Sequence, residues 1–285
     1  MPSTYNDLYI ELRRVLRARN IEAYSLEARL ILAAAAGKTV DELIRDLRLY
    51  TSEETRNNLL ELIKRRLRGE PVAYLVGSWE FYSLPFVVTP DVLIPRIDTE
   101  VLVDAALQEL RGSASARVLD LCCGSGCVGC AIAHEMPETR VVLLDYSEKV
   151  LDIARENVRL LGLSDRVSTI QADVRSSPPH RLGSFDMVLC NPPYIPSAEI
   201  DRLDVSVRGY EPRGALDGGD DGLEFYRAVL SGWSGVLRKP GKLFFELGEG
   251  QAEDVGRLMR LNGFRGIETV RDTLGIERVV YGRRA

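Results

Sequence analysis

Histidine is almost absent from this chain: His134 and His180 are the only two in 285 residues, and they stand far apart. A histidine-built metal centre or a nucleophile–histidine–acid triad therefore has little to be made from. Long apolar runs are missing as well. None approaches the roughly 18 residues of a spanning helix, and the stretch MPSTYNDLYIELRRVLRARN lacks the basic, apolar, small-residue order of a signal peptide. The expectation is a soluble, cytoplasmic protein with no membrane partner. Positive charge is not in excess: 37 Lys and Arg against 42 Asp and Glu leave a net charge of -5. That balance argues against broad, phosphate-driven binding to nucleic acid. The one basic cluster, Lys64, Arg65, Arg66 and Arg68, lies late in a predicted helix, where cations suit the helix dipole.

Cysteine is scarce but concentrated. Cys122, Cys123, Cys127 and Cys130 crowd one segment, and the last two form a C-x-x-C. The segment straddles a strand end, a glycine turn and a first helical turn, so the thiols should diverge. No second C-x-x-C or neighbouring histidine completes a tetrahedral site. The cysteines read as small buried residues, and no metal is expected.

What is present is a strongly patterned chain, 45% apolar, long enough for one large α/β domain and a smaller one. Residues 1–75 read as a helical bundle. Leu8, Leu12, Val15 and Leu16 form a one-sided stripe, SLEARLILAAAAG ends at a glycine suited to a helix C-cap, Thr39 with Glu42 and Thr51 with Glu54 read as capping boxes, and Gly69-Glu70-Pro71 stops a long helix. Residues 76–96 mix aromatic, β-branched and turn residues and read as a hairpin linker. From 97 to 285 strands and helices alternate, with strands at 116–122, 140–145, 167–173, 185–191 and 241–248. That alternation implies a parallel sheet covered on both faces. RGIETVRD and ERVVYGRR follow with only a turn between them and should pair antiparallel at one side.

In such a sheet ligands bind beyond the carboxyl ends of the strands. Strand one ends at Asp120 and runs into Cys122, Cys123, Gly124, Ser125 and Gly126; strand two ends at Asp145, strand three at Asp173 and strand four at Asn191. Gly124 to Gly129 literally matches G-x-G-x-x-G, so a nicotinamide or flavin enzyme is a rival reading, but no hydride-handling site accompanies it. Three acids closing three successive strands suit a ligand with a ribose, an adenine amine and a cationic tail but no pyrophosphate. Asp145 would hold the ribose, Asp173 the adenine amine, and Asp120 would lie near the tail. These are the demands of S-adenosylmethionine.

The chain resembles the class I S-adenosylmethionine-dependent methyltransferases and, more narrowly, the HemK-type enzymes that methylate a glutamine side-chain amide in peptide-chain release factors. The resemblance spans nearly the whole chain, in RLRGEPVAYLVGSWEFYSLPFVVTPDVLIPRIDTE (66–100), VLDLCCGSGCVG (118–129), NPPYIP (191–196), YEPRGALDGGDDGLEFYR (210–227) and DTLGIERVVYGR (272–283). It implies an α/β fold: a seven-stranded Rossmann-like sheet, mostly parallel with one antiparallel strand, and a small all-α N-terminal domain that recognises the protein substrate. It implies S-adenosyl-L-methionine as cofactor, S-adenosyl-L-homocysteine as product, and the Gly-Gly-Gln glutamine of class I release factors as acceptor. A monomer without a direct nucleic-acid partner is expected. Two positions depart from the family's frequent pattern: Cys122 stands where glycine is often found, and Val174 where an aromatic residue often follows the third acid.

The run Asn191-Pro192-Pro193-Tyr194 then acquires a chemical meaning. An amide nitrogen is a poor nucleophile because its lone pair is delocalised into the carbonyl. If the Asn191 side-chain oxygen and the Pro192 carbonyl each accept one N–H of the target amide, the nitrogen is pinned and its lone pair can turn toward the methyl group. Pro192 keeps Asn191 out of the helical region, and both prolines hold φ near about −65°. Tyr194 can lay a flat face on the planar amide. The same tetrapeptide resembles that of adenine amino-methylating enzymes of DNA and RNA, and a ribosomal protein could supply a glutamine in place of a release factor. A base-flipping enzyme should bring a basic groove, which this acidic chain lacks. Asp217 to Gly222 looks like a calcium loop but lacks its full ligand spacing. It reads as a flexible wall or lid leading into a helix at Leu223.

Overall fold

Each predicted helix of the N-terminal region has a local reason to start and stop. The computed structural model describes residues 3–112 and 115–285; positions 1–2 and 113–114 of the expected domains lie outside them. In α1 (Tyr5–Ala18) the Thr4 hydroxyl accepts the Asp7 backbone N–H at 3.2 Å and the Asp7 carboxylate accepts the Thr4 N–H at 2.9 Å. Asp in place of the usual Glu hid this reciprocal cap from the sequence pattern. Tyr5, Leu8, Leu12 and Leu16 are buried, while Val15 is only half-buried. α2 (Tyr24–Ala36) ends at Gly37 in the left-handed region, and α3 (Val40–Arg45) carries the expected Thr39–Glu42 box. The box expected at Thr51 and Glu54 is a correction: Ser52 caps α4 (Glu53–Leu67), accepting Thr55 N–H at 3.0 Å. The Thr51 hydroxyl instead donates to the Ser3 carbonyl at 2.9 Å, a partner 48 residues away that local pattern cannot reveal.

α5 (Val72–Val76) completes the N-terminal helices. The helical unit comprises residues 1–78 together with Asp204–Tyr210, so the expected 97–285 domain is interrupted there. Within this unit Tyr210 donates its hydroxyl hydrogen to the Arg68 carbonyl at 3.0 Å. The basic cluster is largely neutralised: Arg66 forms a fork on Glu27 at 2.6 and 3.0 Å, Arg65 pairs with Glu70 and Lys64 with Glu61.

The second unit, residues 79–203 and 211–285, opens with the hairpin of β1 (Ser78–Phe81) and β2 (Leu84–Val87). Its two turn residues, Tyr82 and Ser83, both have positive φ, 52° and 58°. That is the tight-hairpin geometry whose twist matches the strands. Phe81 and Phe86 meet edge to face and join the core. Seven further strands form the main sheet: β3 (Arg117–Leu121), β4 (Arg140–Asp145), β5 (Val167–Gln171), β6 (Phe185–Cys190), β7 (Leu237–Glu246), β8 (Phe264–Arg271) and β9 (Glu277–Arg284). Their spatial order is β5-β4-β3-β6-β7-β9-β8, with β9 antiparallel to both neighbours and the remaining pairs parallel. The expected seven-stranded sheet with one antiparallel strand is therefore present.

Alternation along the strands splits the core in two. Val118, Val141 and Leu143 pack with α6 (Glu100–Leu110), α7 (Cys127–Glu135) and α8 (Glu148–Leu160) on one face. Leu119, Val142 and Leu144 face the other layer, which holds α10 (Glu224–Ala228) and α11 (Ala252–Leu261); the single turn α9 (Val205–Arg208) belongs to the helical unit. Register then sets the site. Leu121 pairs with Leu144 and Cys190, and Cys190 with Phe245, so Cys122, Asp145, Asn191 and Glu246 fall in one row at the carboxyl edge.

Candidate active site

A cavity of about 630 Å³ opens above that row, and every residue lining it belongs to the sheet unit. Of the residues singled out from the sequence, Asp120, Cys122, Cys123, Ser125, Asp145, Asp173, Val174, Asn191 and Pro193 line it. Gly124, Gly126, Pro192 and Tyr194 do not. The turn after β3 is wound tightly, with positive φ at Cys122 (56°), Gly124 (54°) and Gly126 (79°). A side chain on Gly126 would put its Cβ 2.8 Å from Leu143, whereas Gly124 has open space and needs glycine only for its φ. The wound turn delivers the Gly124 N–H to Asp145 at 3.2 Å.

Asp145 and Asp120 are carboxylates that, among the described residues, have no cationic partner. Asp145 accepts only backbone hydrogens, from Gly124 and Ser147, and burial raises its pKa. Asp120 is 1% exposed and accepts the Gly129 N–H at 2.9 Å. Burial first, and the nearby Asp145 charge as well, push its pKa up to about 7. Two uncompensated acids on one cavity wall form a place prepared for hydrogen-bond donors and positive charge. A ligand with a ribose diol and a cationic tail meets both demands, so the residues present fit S-adenosylmethionine.

Asp173 is less free than expected. Its oxygens accept from Arg175 Nη2 at 2.9 Å, from Nε at 3.1 and 3.2 Å, and from the Arg175 backbone N–H at 2.9 Å; this partner holds its pKa down. The Arg175 guanidinium also lies 5.6 Å from the centre of the Phe225 ring. Phe225 and Arg175 both line the cavity beside Val174, so aromatic surface comes from α10 rather than from the position after the third acid. Trp233 donates to the Val174 carbonyl at 2.8 Å and fixes that turn.

At the far side of the row Asn191 donates from Nδ2 to Thr99 Oγ1 at 3.3 Å. The buried Glu246 carboxyl, 3% exposed, lies level with Asn191 in the strand register, and Thr99 and Asn191 both act to lower its pKa. With its NH2 group directed inward, Asn191 has its carbonyl oxygen left to present to the cavity. Pro192 and Pro193 are buried, and Tyr194 packs against the lower core while its carbonyl accepts from Gln251 Nε2 at 2.9 Å.

The remaining candidates resolve into structure. Cys123, Cys127, Cys130 and Cys190 are buried free thiols, and burial pushes the Cys127 thiol up to about 12. Among the described residues no three His, Cys, Asp or Glu side chains form a group that could hold a metal ion. Asp217 accepts from Ser197 at 2.5 Å, from Gly219 N–H and from Arg213, while Asp221 pairs with Arg227. With Ile195 bonded to Leu216 and Gly218, these contacts make 217–222 an anchored wall of the cavity.

Sequence reasoning passed over three contributors. The linker residues Val92, Pro95 and Arg96, and Thr99 just after them, line the cavity, which no strand-end rule reaches. Asn157, fully buried in α8, holds Val87 through both backbone groups and also the Ser125 carbonyl, tying the hairpin to the glycine turn. Glu246 was within reach, because it closes a strand as Asp120 and Asp145 do.

Comparison with known proteins agrees with this geometry. Residues 96–205 match the methyltransferase small domain and residues 7–77 the PrmC N-terminal domain. A release factor glutamine methyltransferase of Geobacter sulfurreducens is 40% identical over 95% of this chain and 93% of its own length. One of Moorella thermoacetica is 41% identical, covering 95% of each. Among solved structures, a methyltransferase from Pyrococcus furiosus superposes with a TM-score of 0.52 at 15% identity, over 79% of this chain and 98% of its own, which is a likeness of fold. Full-length identity at this level, on a sheet with these residues at its carboxyl edge, shows that the chain belongs to the release factor glutamine methyltransferase family.

Proposed function

We propose that the chain transfers a methyl group from S-adenosylmethionine to the side-chain amide nitrogen, N5, of the Gly-Gly-Gln glutamine in class I peptide-chain release factors. The observation that carries this reading is the placement of Asn191, its NH2 turned inward to Thr99, beside a cavity in which Asp120 and Asp145 have, among the described residues, no cationic partner. Asp145 would hold the ribose hydroxyls and Asp120 would face the cationic tail; Phe225 and Arg175 offer flat surface for the adenine. Held there, S-adenosylmethionine would supply an electrophilic methyl group on a sulfonium.

The protein's own part is positioning. Asn191 Oδ1 and the Pro192 carbonyl accept the two amide hydrogens of the glutamine, so the nitrogen lone pair turns out of conjugation and toward the methyl. No strong base is required first, because the amide nitrogen loses its proton readily once it carries the methyl and a positive charge. Fixed dipoles aimed at that charge cost no reorganisation when it develops. Recognition of the release factor is assigned to the helical unit, and the site of action to the cytoplasm, where release factors meet ribosomes.

The test is incubation with methyl-labelled S-adenosylmethionine and, separately, release factor, ribosomal protein and DNA, with the methyl mapped by mass spectrometry. Label on the release-factor glutamine is expected; label on ribosomal protein or on adenine instead would replace the acceptor named here. Asn191→Ala is expected to abolish transfer while cofactor affinity stays within about tenfold, since its side chain serves the acceptor.

A further inference from the structure

The acid closing β7 is given no duty by the cofactor or acceptor contacts above. Glu246 is nonetheless 3% exposed, and its Oε2 is buried without a hydrogen-bond partner. A half-satisfied buried carboxyl is costly to a fold, and an apolar residue there would be cheaper. Thr99 and Asn191, the polar side chains beside Glu246, both draw its pKa down, and Thr99 Oγ1 itself accepts from Asn191 Nδ2 at 3.3 Å. The Asn191 NH2 group is thus turned to the side on which Glu246 lies, one place further along the paired strands.

We propose that Glu246, with Thr99 as its relay, is a positioning residue that locks the Asn191 amide with nitrogen inward and oxygen toward the acceptor. The inference rests on the reading of Asn191 as the group that holds the target amide. An asparagine side chain has almost the same shape when its amide is turned by half a rotation, so packing cannot choose its orientation; hydrogen-bond partners must. An ionised carboxylate has only lone pairs and accepts Nδ2 but not Oδ1. Turned over, Asn191 would offer a donor to the cavity. A glutamine would then answer with its carbonyl oxygen, and its nitrogen would lie away from the methyl.

The lock is complete only when Glu246 is ionised. Burial, the largest influence, together with Asp98 pushes its pKa up to about 7 against the pull of Thr99, Arg278 and Asn191. Tyr194, Tyr226, Cys190 and Cys127 also lie close enough to feel its charge. Turnover at saturating cofactor and acceptor is therefore expected to rise with pH through neutrality.

Glu246→Gln keeps the shape but admits either orientation of Asn191. Its expected signature is a fall in kcat of about tenfold or more with cofactor affinity within about threefold, and loss of the neutral acid limb. Its melting temperature should not fall, since a buried charge is removed. Thr99→Val breaks the relay and keeps the test open if the first variant does not fold; a fall of roughly three- to tenfold in kcat at unchanged cofactor affinity is expected. Wild-type turnover and pH profile in a folded Glu246→Gln or Thr99→Val, with Asn191→Ala inactive, overturn this inference alone. An active Asn191→Ala overturns the reading of Asn191 and this inference with it.

Discussion

Asp145 and Asp120 share a wall and a charge but differ in what removing them should reveal. Asp145 offers oxygens to the cavity while bonded only to backbone N–H groups. Asp145→Ala is therefore expected to weaken S-adenosylmethionine binding by about 1.5 to 3 kcal/mol, the scale of a lost charge-assisted hydrogen bond, as read by calorimetry. Unchanged affinity would remove the ribose assignment. Asp120 speaks through pH. Its pKa rises from an ordinary carboxylate value to about 7 on folding. The unfolded chain releases this proton first as pH climbs, so the ligand-free protein loses stability between about pH 4 and 7, and the penalty is full above 7. Asp120→Asn retains an acceptor for Gly129 N–H and removes the ionisation. It is expected to raise the melting temperature of the ligand-free protein more at pH 8 than at pH 5. Equal effects at both pH values would show that Asp120 titrates normally.

The turn that follows β3 shows how an element stores a choice its residues did not make locally. Cys122 occupies a left-handed backbone region at φ 56°, which glycine enters freely and a side chain enters at a cost. Its side chain packs against the core layer that holds Cys190 and lines the cavity. Cys122→Gly should therefore relieve strain of roughly 1 kcal/mol at that bond pair and lose some packing against that layer. The expected net change in stability by denaturant unfolding is within about 1 kcal/mol, with cofactor binding preserved. A large loss of cofactor affinity would mean that the Cys122 side chain contributes to the site beyond its backbone.

Across the whole molecule, the cofactor wall and the helical unit are separate sets of residues. All residues lining the cavity fall between Asp91 and Phe225 in the sheet unit, and the chain passes between the two units three times. A chain beginning at residue 79 keeps every one of those lining residues. It is expected to bind S-adenosylmethionine within about fivefold of the full chain, by calorimetry, while transfer to release factor falls by about a hundredfold or more. Undiminished transfer would remove the recognition role from the helical unit. Asp204–Tyr210, which group with that unit, would be left uncovered and are expected to become protease-sensitive.

Sequence alone determined what depends on near neighbours. Short apolar runs set the strands, glycines marked where the turn after β3 must wind, and acids or amides at strand ends pointed to Asp120, Asp145, Asp173 and Asn191, which the fold brings around one cavity. The resemblance around NPPY supplied the chemistry. What sequence could not carry were partners brought together from far along the chain. Thr51 looked like a cap until Ser3, 48 residues away, took its hydroxyl. The aromatic surface that Val174 does not supply comes from Phe225, on a helix far along the chain, whereas the pairing of Asp173 with Arg175, two residues on, is local and was passed over. Thr99 and Glu246 meet Asn191 only because a linker crosses the sheet edge and because register sets β7 level with β6. Hydrogen bonds of that kind are fixed by strand pairing and loop closure, quantities of the folded chain, and no local pattern contains them.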